Sequence, residues 1–217
     1  MKKYDTIIFD LDGTLMDTLE DLKDSVNYAL ELCGFQKRST DEIRRFLGNG
    51  VGRLIELCVP DGLTNPLYKK CLDSFKKYYS ENMRNKTKPY RGIIELLEQL
   101  KRKKYKLAVV SNKFDGAVKG LVKEFFGEYI QVAIGESEYI SRKPAPDTVI
   151  KALEELGSSP ERTVYVGDSE VDVKTAKNSG LKCVGVTWGF RDREVLVKEG
   201  ADYMIDEPEE LLSIVSA

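Results

Sequence analysis

The feature that most restricts the fold of this chain is the alternation of short apolar runs with amphipathic helical patterns from residue 90 onward. Runs typical of buried strands lie at 6–9, 106–110, 163–166 and 182–186, with a weaker one at 131–134 and a possible sixth at 201–205. Apolar side chains at helical spacing separate them, as in the segment 93–100. Strands that alternate with helices form parallel sheets with crossover helices. The sequence therefore predicts an α/β fold, a doubly wound parallel sheet.

Residues 16–88 interrupt this alternation, because they contain no convincing strand. Apolar residues share helical faces there, and they predict a helix near 19–30, a helical hairpin between 43 and 55, and a third helix over 67–79. The exit at 85–92 is polar and contains Pro and Gly, as is typical of a linker. We therefore expect residues 1–15 and 89–217 to form the sheet domain, with 16–88 as an inserted all-α domain.

Composition excludes several classes of function. The 217-residue chain has no histidine, which removes Ser-His-Asp and Cys-His catalysis and every His-based metal site. A formal net charge of −2 argues against a broad nucleic-acid-binding surface. The four cysteines form no C-x-x-C pair, which favours reduced thiols. Neither a signal peptide nor an apolar run of ~18–20 residues is apparent, so we expect a cytoplasmic protein without nucleic-acid or membrane partners.

Polar side chains follow the predicted strands at the points where the strands end. In an open parallel sheet, ligands bind at the carboxyl ends of the strands, near the switch in strand order. The candidates are Asp10, Asp12 and Thr14 after the first strand, Ser111 and Asn112 after the second, Lys143 after the weaker strand, and Asp168 and Asp172 after the strand at 163–166. We therefore expect these distant segments to converge on one rim.

The residue types on this rim suit phosphate chemistry. Three close carboxylates, Asp10, Asp12 and Asp168, would repel one another unless a cation lay among them, and oxygen-only ligands favour Mg²⁺. A lysine and a hydroxyl beside that cation would bind an anion electrostatically. One carboxylate can then act as the nucleophile, forming an aspartyl-phosphate, while a second exchanges protons. Gly13 permits the tight turn that places both.

Four sequence segments resemble the signature motifs of the haloacid dehalogenase-like phosphohydrolases, in the same order. They are Phe-Asp-Leu-Asp-Gly-Thr at 9–14, Val-Ser-Asn at 110–112, Lys-Pro at 143–144 and Gly-Asp-x-x-x-Asp at 167–172. The helical block after the first segment is similar to the small α-helical cap of the family. The dehalogenase branch lacks the second aspartate, so Asp12 favours phosphate chemistry.

The resemblance implies a role for each residue. Asp10 would attack phosphorus, and Asp12 would protonate the leaving oxygen and then activate water. Ser111, with backbone N–H groups near Leu11 and Asn112, would hold the phosphoryl oxygens, and Lys143 would neutralise charge on the nucleophile and the phosphate.

The resemblance also implies a magnesium site. Mg²⁺ would be bound by an oxygen of Asp10, the backbone carbonyl of Asp12 and the carboxylate of Asp168. Asp172 would position Lys143 or a metal-bound water rather than bind the metal itself.

Within the family, the segment Phe-Leu-Gly-Asn-Gly-Val at 46–51 is similar to the cap of phosphoglycolate phosphatases. By this resemblance Gly48, Asn49 and Gly50 would form a substrate-selecting loop, and Arg53 would be a cationic partner for a substrate carboxylate. The expected substrate is 2-phosphoglycolate or a similarly small phosphorylated metabolite. A β-phosphoglucomutase-like mutase, a pyrophosphatase and a nucleotidase stay open as alternatives, as does a non-catalytic, receiver-like phosphoacceptor domain.

Several of these residues also have an ordinary structural explanation. Ser111 and Asn112 could cap a helix after a strand. Lys143 could be a solvated lysine and Asp172 an exposed helix acid, while the glycines at 48–50 could form a turn between helices.

Overall fold

The computed structural model describes residues 3–216, which form alternating strands and helices. The strands are β1 (Thr6–Phe9), β2 (Met16–Asp17), β3 (Lys88–Pro89), β4 (Lys106–Phe114), β5 (Val132–Glu136), β6 (Thr163–Gly167), β7 (Lys182–Val186) and β8 (Tyr203–Ile205). The helices are α1 (Leu19–Leu32), α2 (Thr40–Phe46), α3 (Gly50–Cys58), α4 (Tyr68–Asn82), α5 (Ile93–Arg102), α6 (Asp115–Phe126), α7 (Asp147–Leu156), α8 (Glu170–Asn178), α9 (Arg193–Glu199) and α10 (Leu211–Ser216).

The main sheet has six strands in the order β5-β4-β1-β6-β7-β8, and each neighbouring pair is parallel. The strand order reverses at β1, because the chain continues to β4 on one side of β1 and later to β6 on the other. This reversal creates the crevice in which open α/β sheets bind their ligands. The predicted doubly wound parallel sheet is confirmed.

Both faces of this sheet are buried, which explains the continuous apolar runs of its strands. Side chains alternate across each strand, so Ile7 and Phe9 of β1 belong to one apolar cluster while Ile8 belongs to the other. The first cluster includes side chains of α5, α6 and α10, and the second includes side chains of α7, α8 and α9.

The chain divides into two compact units, Met1–Met16 with Pro89–Ala217, and Asp17–Lys88. The first, which we call the sheet unit, contains the six-stranded sheet. The second, the helical unit, contains α1 to α4. Its limits differ by one residue from the expected 16–88, at the start. The expectation of no strand in that segment was wrong at both ends, because β2 and β3 form a separate two-stranded sheet.

Local signals explain the helices of the helical unit. A capping box starts α2, in which Ser39 and Glu42 exchange side-chain and backbone hydrogen bonds. Buried apolar residues of α3 and α4, including Leu54 and Phe75, line the interior of the unit. Cys33, Cys58, Cys71 and Cys183 are all free and buried, as expected for reduced thiols. Among the described residues, no helix has both the length and the apolar character needed to cross a bilayer.

Candidate active site

Asp10 and Asp12 lie on a tight turn that follows β1. The backbone N–H of Asp10 donates to the carbonyl of Val166 at 2.9 Å, which ties this turn to β6. Gly13 adopts a φ of +91°, and a Cβ on it would lie 2.4 Å from a carboxylate oxygen of Asp168. Only glycine satisfies both the backbone conformation and this close approach. The turn therefore brings the first motif against the fourth.

Lys143 joins the nucleophile candidate to α8. Its Nζ donates to Asp10 Oδ1 at 2.7 Å, to Asp172 Oδ1 at 2.8 Å and to the hydroxyl of Tyr165 at 3.0 Å. The side chain of Lys143 is buried, so its explanation as an ordinary solvated lysine is wrong. A buried ammonium held by two carboxylates has a fixed position, which makes it a permanent positive charge beside Asp10.

Asp172 is also buried, so it is not an exposed helix acid. Its Oδ2 accepts hydrogen bonds from the backbone N–H and the hydroxyl of Ser169, at 3.0 and 2.6 Å. Its Oδ1 accepts from Lys143 and from the hydroxyl of Tyr165. These four bonds hold Asp172 at the start of α8 and, through it, hold Lys143.

Burial dominates the electrostatics of the carboxylates. It raises the pKa of Asp10 well above the ordinary value, and the charges of Asp172 and Asp168 add to this effect while Lys143 opposes it. Burial raises the pKa of Asp168 to about 7, with the charge of Asp172 as the second cause. For Lys143, burial disfavours the ammonium, but the charges of Asp10 and Asp172 outweigh it and raise its pKa.

The carboxylates form a group that fits a hard divalent cation. Asp10, Asp168 and Asp172 each offer an oxygen, and these oxygens lie within 4.8 Å of one another. All the donors are oxygens, and the raised pKa values of Asp10 and Asp168 indicate that a positive charge would stabilise their ionised forms. Asp168 is oriented by the hydroxyl of Thr14 at 3.1 Å and by the backbone N–H of Phe190 at 2.6 Å. The donor set therefore suits Mg²⁺. Binding through the carbonyl of Asp12 stays a prediction.

The loop after β7 completes the surroundings of Asp168. A Cβ on Gly189 would lie 2.3 Å from Cβ of Asp168 and 2.5 Å from the carbonyl oxygen of Gly13. The indole N–H of Trp188 donates to the carbonyl of Thr14 at 3.0 Å. In the sequence, the only signal for this loop is its place after the end of a predicted strand.

The second motif lies inside a strand. β4 was expected to stop at Val110, but it continues to Phe114, and its pairing with β5 shifts register between those two residues. Ser111 therefore does not cap a helix. Its Oγ accepts the backbone N–H of Lys113 at 3.2 Å, which leaves the hydroxyl proton for donation to an anion. The side-chain amide of Asn112 donates to the carbonyl of Lys143 at 3.0 Å, linking the second and third motifs.

Lys113 is a residue that sequence reasoning missed. Its Nζ donates to Asp12 Oδ1 at 2.9 Å, and the lysine side chain is buried. Its position two residues after Ser111 could have signalled it, because alternate residues of a strand share a side. Tyr165, which bonds Lys143, was hidden within an apolar run and had no comparable signal.

The remaining candidates lie in the helical unit. Gly48 and Gly50 adopt positive φ values of 108° and 78°, and Asn49 is the residue that precedes α3. Arg53 is half-exposed on α3 and forms an ion pair with Glu56. The glycines therefore do form a turn before a helix. A substrate-selecting role for these four residues stays a prediction.

The arrangement combines groups that can transfer a phosphoryl group. A buried carboxylate lies beside a fixed ammonium and two further carboxylates suited to a cation. The hydroxyl of Ser111 can donate to an anionic oxygen, and the carboxylate of Asp12 lies two residues from Asp10. Such preorganised charges stabilise the charge that develops on a transferring phosphoryl group.

Comparisons with known proteins identify similar sequences over most of the chain. The sequence model of the family described as haloacid dehalogenase-like hydrolase matches residues 7–186. The chain is 33% identical to a phosphoglycolate phosphatase of Aquifex aeolicus over 210 residues, which cover 96% of this chain and 95% of that protein.

Solved structures are also similar to this chain over nearly its whole length. A crystal structure of an inferred phosphoglycolate phosphatase from Lactobacillus delbrueckii subsp. bulgaricus has a TM-score of 0.94 and 37% identity, covering 99% of this chain and 100% of that one. CbbY from Rhodobacter sphaeroides, crystallised in complex with phosphate, has a TM-score of 0.81 and 28% identity, covering 99% and 100% of the two chains.

Proposed function

The chain belongs to the haloacid dehalogenase-like hydrolase family, and on that basis we propose that it is a Mg²⁺-dependent phosphatase with Asp10 as its nucleophile. The proposed substrate is 2-phosphoglycolate or a similarly small phosphorylated acid. The observation that supports this most directly is the position of Lys143, whose ammonium bonds Asp10 at 2.7 Å and Asp172 at 2.8 Å within the carboxylate cluster. A nucleophilic carboxylate must be ionised, and this fixed ammonium favours the ionised form.

In the first step, an oxygen of Asp10 attacks phosphorus in line. The bond between phosphorus and the leaving oxygen breaks, and the carboxyl group of Asp12 donates a proton to that oxygen. Ser111 and Lys143 stabilise the negative charge on the phosphoryl oxygens. Asp10 and Asp168 would hold Mg²⁺, which when bound neutralises charge on the phosphoryl group.

In the second step, water hydrolyses the aspartyl-phosphate. Asp12, now a carboxylate, accepts a proton from the water as the water oxygen bonds to phosphorus. The bond between phosphorus and the Asp10 oxygen breaks, which restores the Asp10 carboxylate and releases inorganic phosphate. The same residue thus acts as acid and then as base.

The names of the relatives support the choice of substrate. The Aquifex aeolicus protein is a phosphoglycolate phosphatase and covers nearly the whole chain. A carboxylate-bearing substrate would find a cationic partner in Arg53, a role that follows from the family resemblance. A receiver-like switch domain does not explain either Asp12 or the helical unit.

A substrate comparison tests the proposal. Phosphate release is measured with Mg²⁺ for 2-phosphoglycolate, glucose 6-phosphate, a nucleoside monophosphate and pyrophosphate, with EDTA and the Asp10→Asn variant as controls. We expect the highest kcat/KM for 2-phosphoglycolate, no turnover in EDTA, and none in the variant. Peptide mass spectrometry after acid quench should find the phosphoryl group on Asp10.

Other outcomes would assign a different function. Preference for pyrophosphate would identify a pyrophosphatase, and preference for the nucleotide a nucleotidase. Conversion of β-glucose 1-phosphate to glucose 6-phosphate without release of phosphate would identify a mutase. Undiminished turnover in EDTA would remove the metal from the proposal.

A further inference from the structure

Lys113 is one of two lysines that are buried within the part of the chain that the structure describes, and the other is Lys143. The side chain of Lys113 is 3% exposed, and its Nζ donates to Asp12 Oδ1 at 2.9 Å. Removing an ammonium from water costs several kcal/mol unless charged partners compensate for the loss. A buried lysine beside the proposed acid and base therefore calls for a specific explanation.

Lys113 is connected to two groups of the site at once. Its backbone N–H donates to Ser111 Oγ, which orients the hydroxyl proposed to hold the phosphoryl group. Its side chain reaches Asp12, on the turn after β1. Lys113 lies on the extension of β4 beyond Val110, so both contacts start from a strand. The strand therefore delivers Lys113 to the carboxylate of Asp12 on a rigid backbone.

The side chain of Asp12 is less restrained by its surroundings than that of Asp10, because it is more exposed to solvent. The side chain of Asp12 is 19% exposed, against 9% for Asp10. An acid and base that serves both steps must direct one oxygen toward the leaving group and later toward water. An ammonium bonded to Oδ1 restricts the rotation of the carboxylate and leaves Oδ2 as the oxygen that can exchange protons. Small errors in such geometry cost about 10²-fold in rate.

We propose that Lys113 is a positioning residue, which holds the Asp12 carboxylate in the orientation required for proton transfer. The proposal rests on the proposed function, in which Asp12 is the acid and base. Lys113 acts through Asp12 and need not touch the substrate. It differs in this from Lys143, whose ammonium bonds the nucleophile itself.

A double-mutant cycle tests the proposal, using the whole protein with Mg²⁺ and 2-phosphoglycolate. The variants are Lys113→Met, Asp12→Asn and the two combined. We expect Lys113→Met to lower kcat by roughly 10–10²-fold with little change in KM, and Asp12→Asn to lower it by about 10²–10⁴-fold. In the Asp12→Asn background, Lys113→Met should cause no further loss, because the group that it positions is already inactive.

Controls separate positioning from general effects of charge or folding. Lys119→Met removes an exposed lysine of α6 that pairs with Asp115, and it should leave kcat and KM unchanged. If Lys113→Met unfolds, Lys113→Gln, whose shorter and neutral side chain removes the ammonium from Asp12, replaces it in both backgrounds. Circular dichroism melts show which variants are folded.

The two proposals fail in different ways. Full activity of Asp12→Asn would overturn the role of Asp12, and with it the proposed function as stated. A large loss in Asp12→Asn together with equal losses from Lys113→Met in both backgrounds would overturn only the positioning role. A rise in KM alone on Lys113→Met would also overturn it, and would assign the lysine to substrate binding.

Discussion

The helical unit and the sheet unit each bury carboxylates, but in different surroundings. In the helical unit, Asp21 accepts backbone N–H bonds from Lys86 and Thr87 at 2.8 to 3.1 Å, which join α1 to the segment before β3. In the sheet unit, Asp10, Asp168 and Asp172 cluster within 4.8 Å. One carboxylate satisfied by neutral backbone donors holds a fold together. In the cluster of three carboxylates only Asp10 and Asp172 bond an ammonium, so the group favours a further cation and is suited to chemistry.

The same substitution at the two kinds of carboxylate should have opposite consequences. Asp10→Asn should lower kcat/KM by about 10⁴-fold or more, because the nucleophile is lost. Asp21→Asn should leave kcat/KM unchanged but destabilise the protein by about 1–3 kcal/mol, because its amide group would face N–H donors. Phosphate-release kinetics and urea unfolding measure the two effects. Wild-type turnover of Asp10→Asn would remove Asp10 as the nucleophile.

Two lysines extend the comparison. Lys143→Met should lower kcat/KM by roughly 10²–10³-fold, the scale for loss of one preorganised donor to a developing anion. It should also destabilise the fold by about 3 kcal/mol, since buried carboxylates lose their partner. Lys86→Met removes an exposed ammonium that pairs with Asp24 at 2.7 Å, and it should change neither kinetics nor stability measurably. If Lys143→Met and Lys86→Met changed kcat/KM and stability equally, the expected difference between the buried and the exposed lysine would be contradicted.

Glycines of the two units should also respond differently. Gly189→Ala would force a Cβ against Asp168, so the Mg²⁺ concentration for half-maximal activity should rise by about 10–100-fold. Gly34→Ala meets no atom within 4 Å and bears only the strain of a φ of +73°. It should cost about 1 kcal/mol of stability and leave Mg²⁺ dependence intact. Titrations of activity with Mg²⁺ measure the metal dependence of both variants. An unchanged Mg²⁺ dependence of Gly189→Ala would contradict the prediction for Gly189.

The smallest expected effect concerns pH. Since burial raises the pKa of Asp168 to about 7, the folded protein binds a proton there that the unfolded chain loses near pH 4. Without metal, Asp168 should therefore lower stability progressively as pH rises from about 4 to 7. In EDTA, the Tm of the wild type minus that of Asp168→Asn should fall by a few degrees between pH 5 and 8.

Mg²⁺ supplies the matching control for the pH prediction. Because the cation binds the ionised carboxylate, it should raise the wild-type Tm more at pH 8 than at pH 5, and it should do less for Asp168→Asn. A difference in Tm that does not vary with pH would show that Asp168 is ionised throughout in the folded protein.

The strands were easiest to predict where burial leaves a simple signal. The limits of β1 and β7 agree with the predicted runs, because both strands are covered on both faces and contain almost only apolar residues. β4 was predicted too short, since its last residues are polar but buried at the site. Functional residues inside a strand thus conceal its end, and Lys113 was missed for that reason.

The sequence by itself determined the alternation of elements and the residue types at the strand ends, because burial periodicity and turn chemistry are local. Only the tertiary structure decided which carboxylate oxygen bonds to which lysine ammonium. The bonds from Lys143 to Asp10 and Asp172 and from Lys113 to Asp12 join residues far apart in the chain. Such pairings depend on strand order and register, which arise only when the whole sheet packs against its helices.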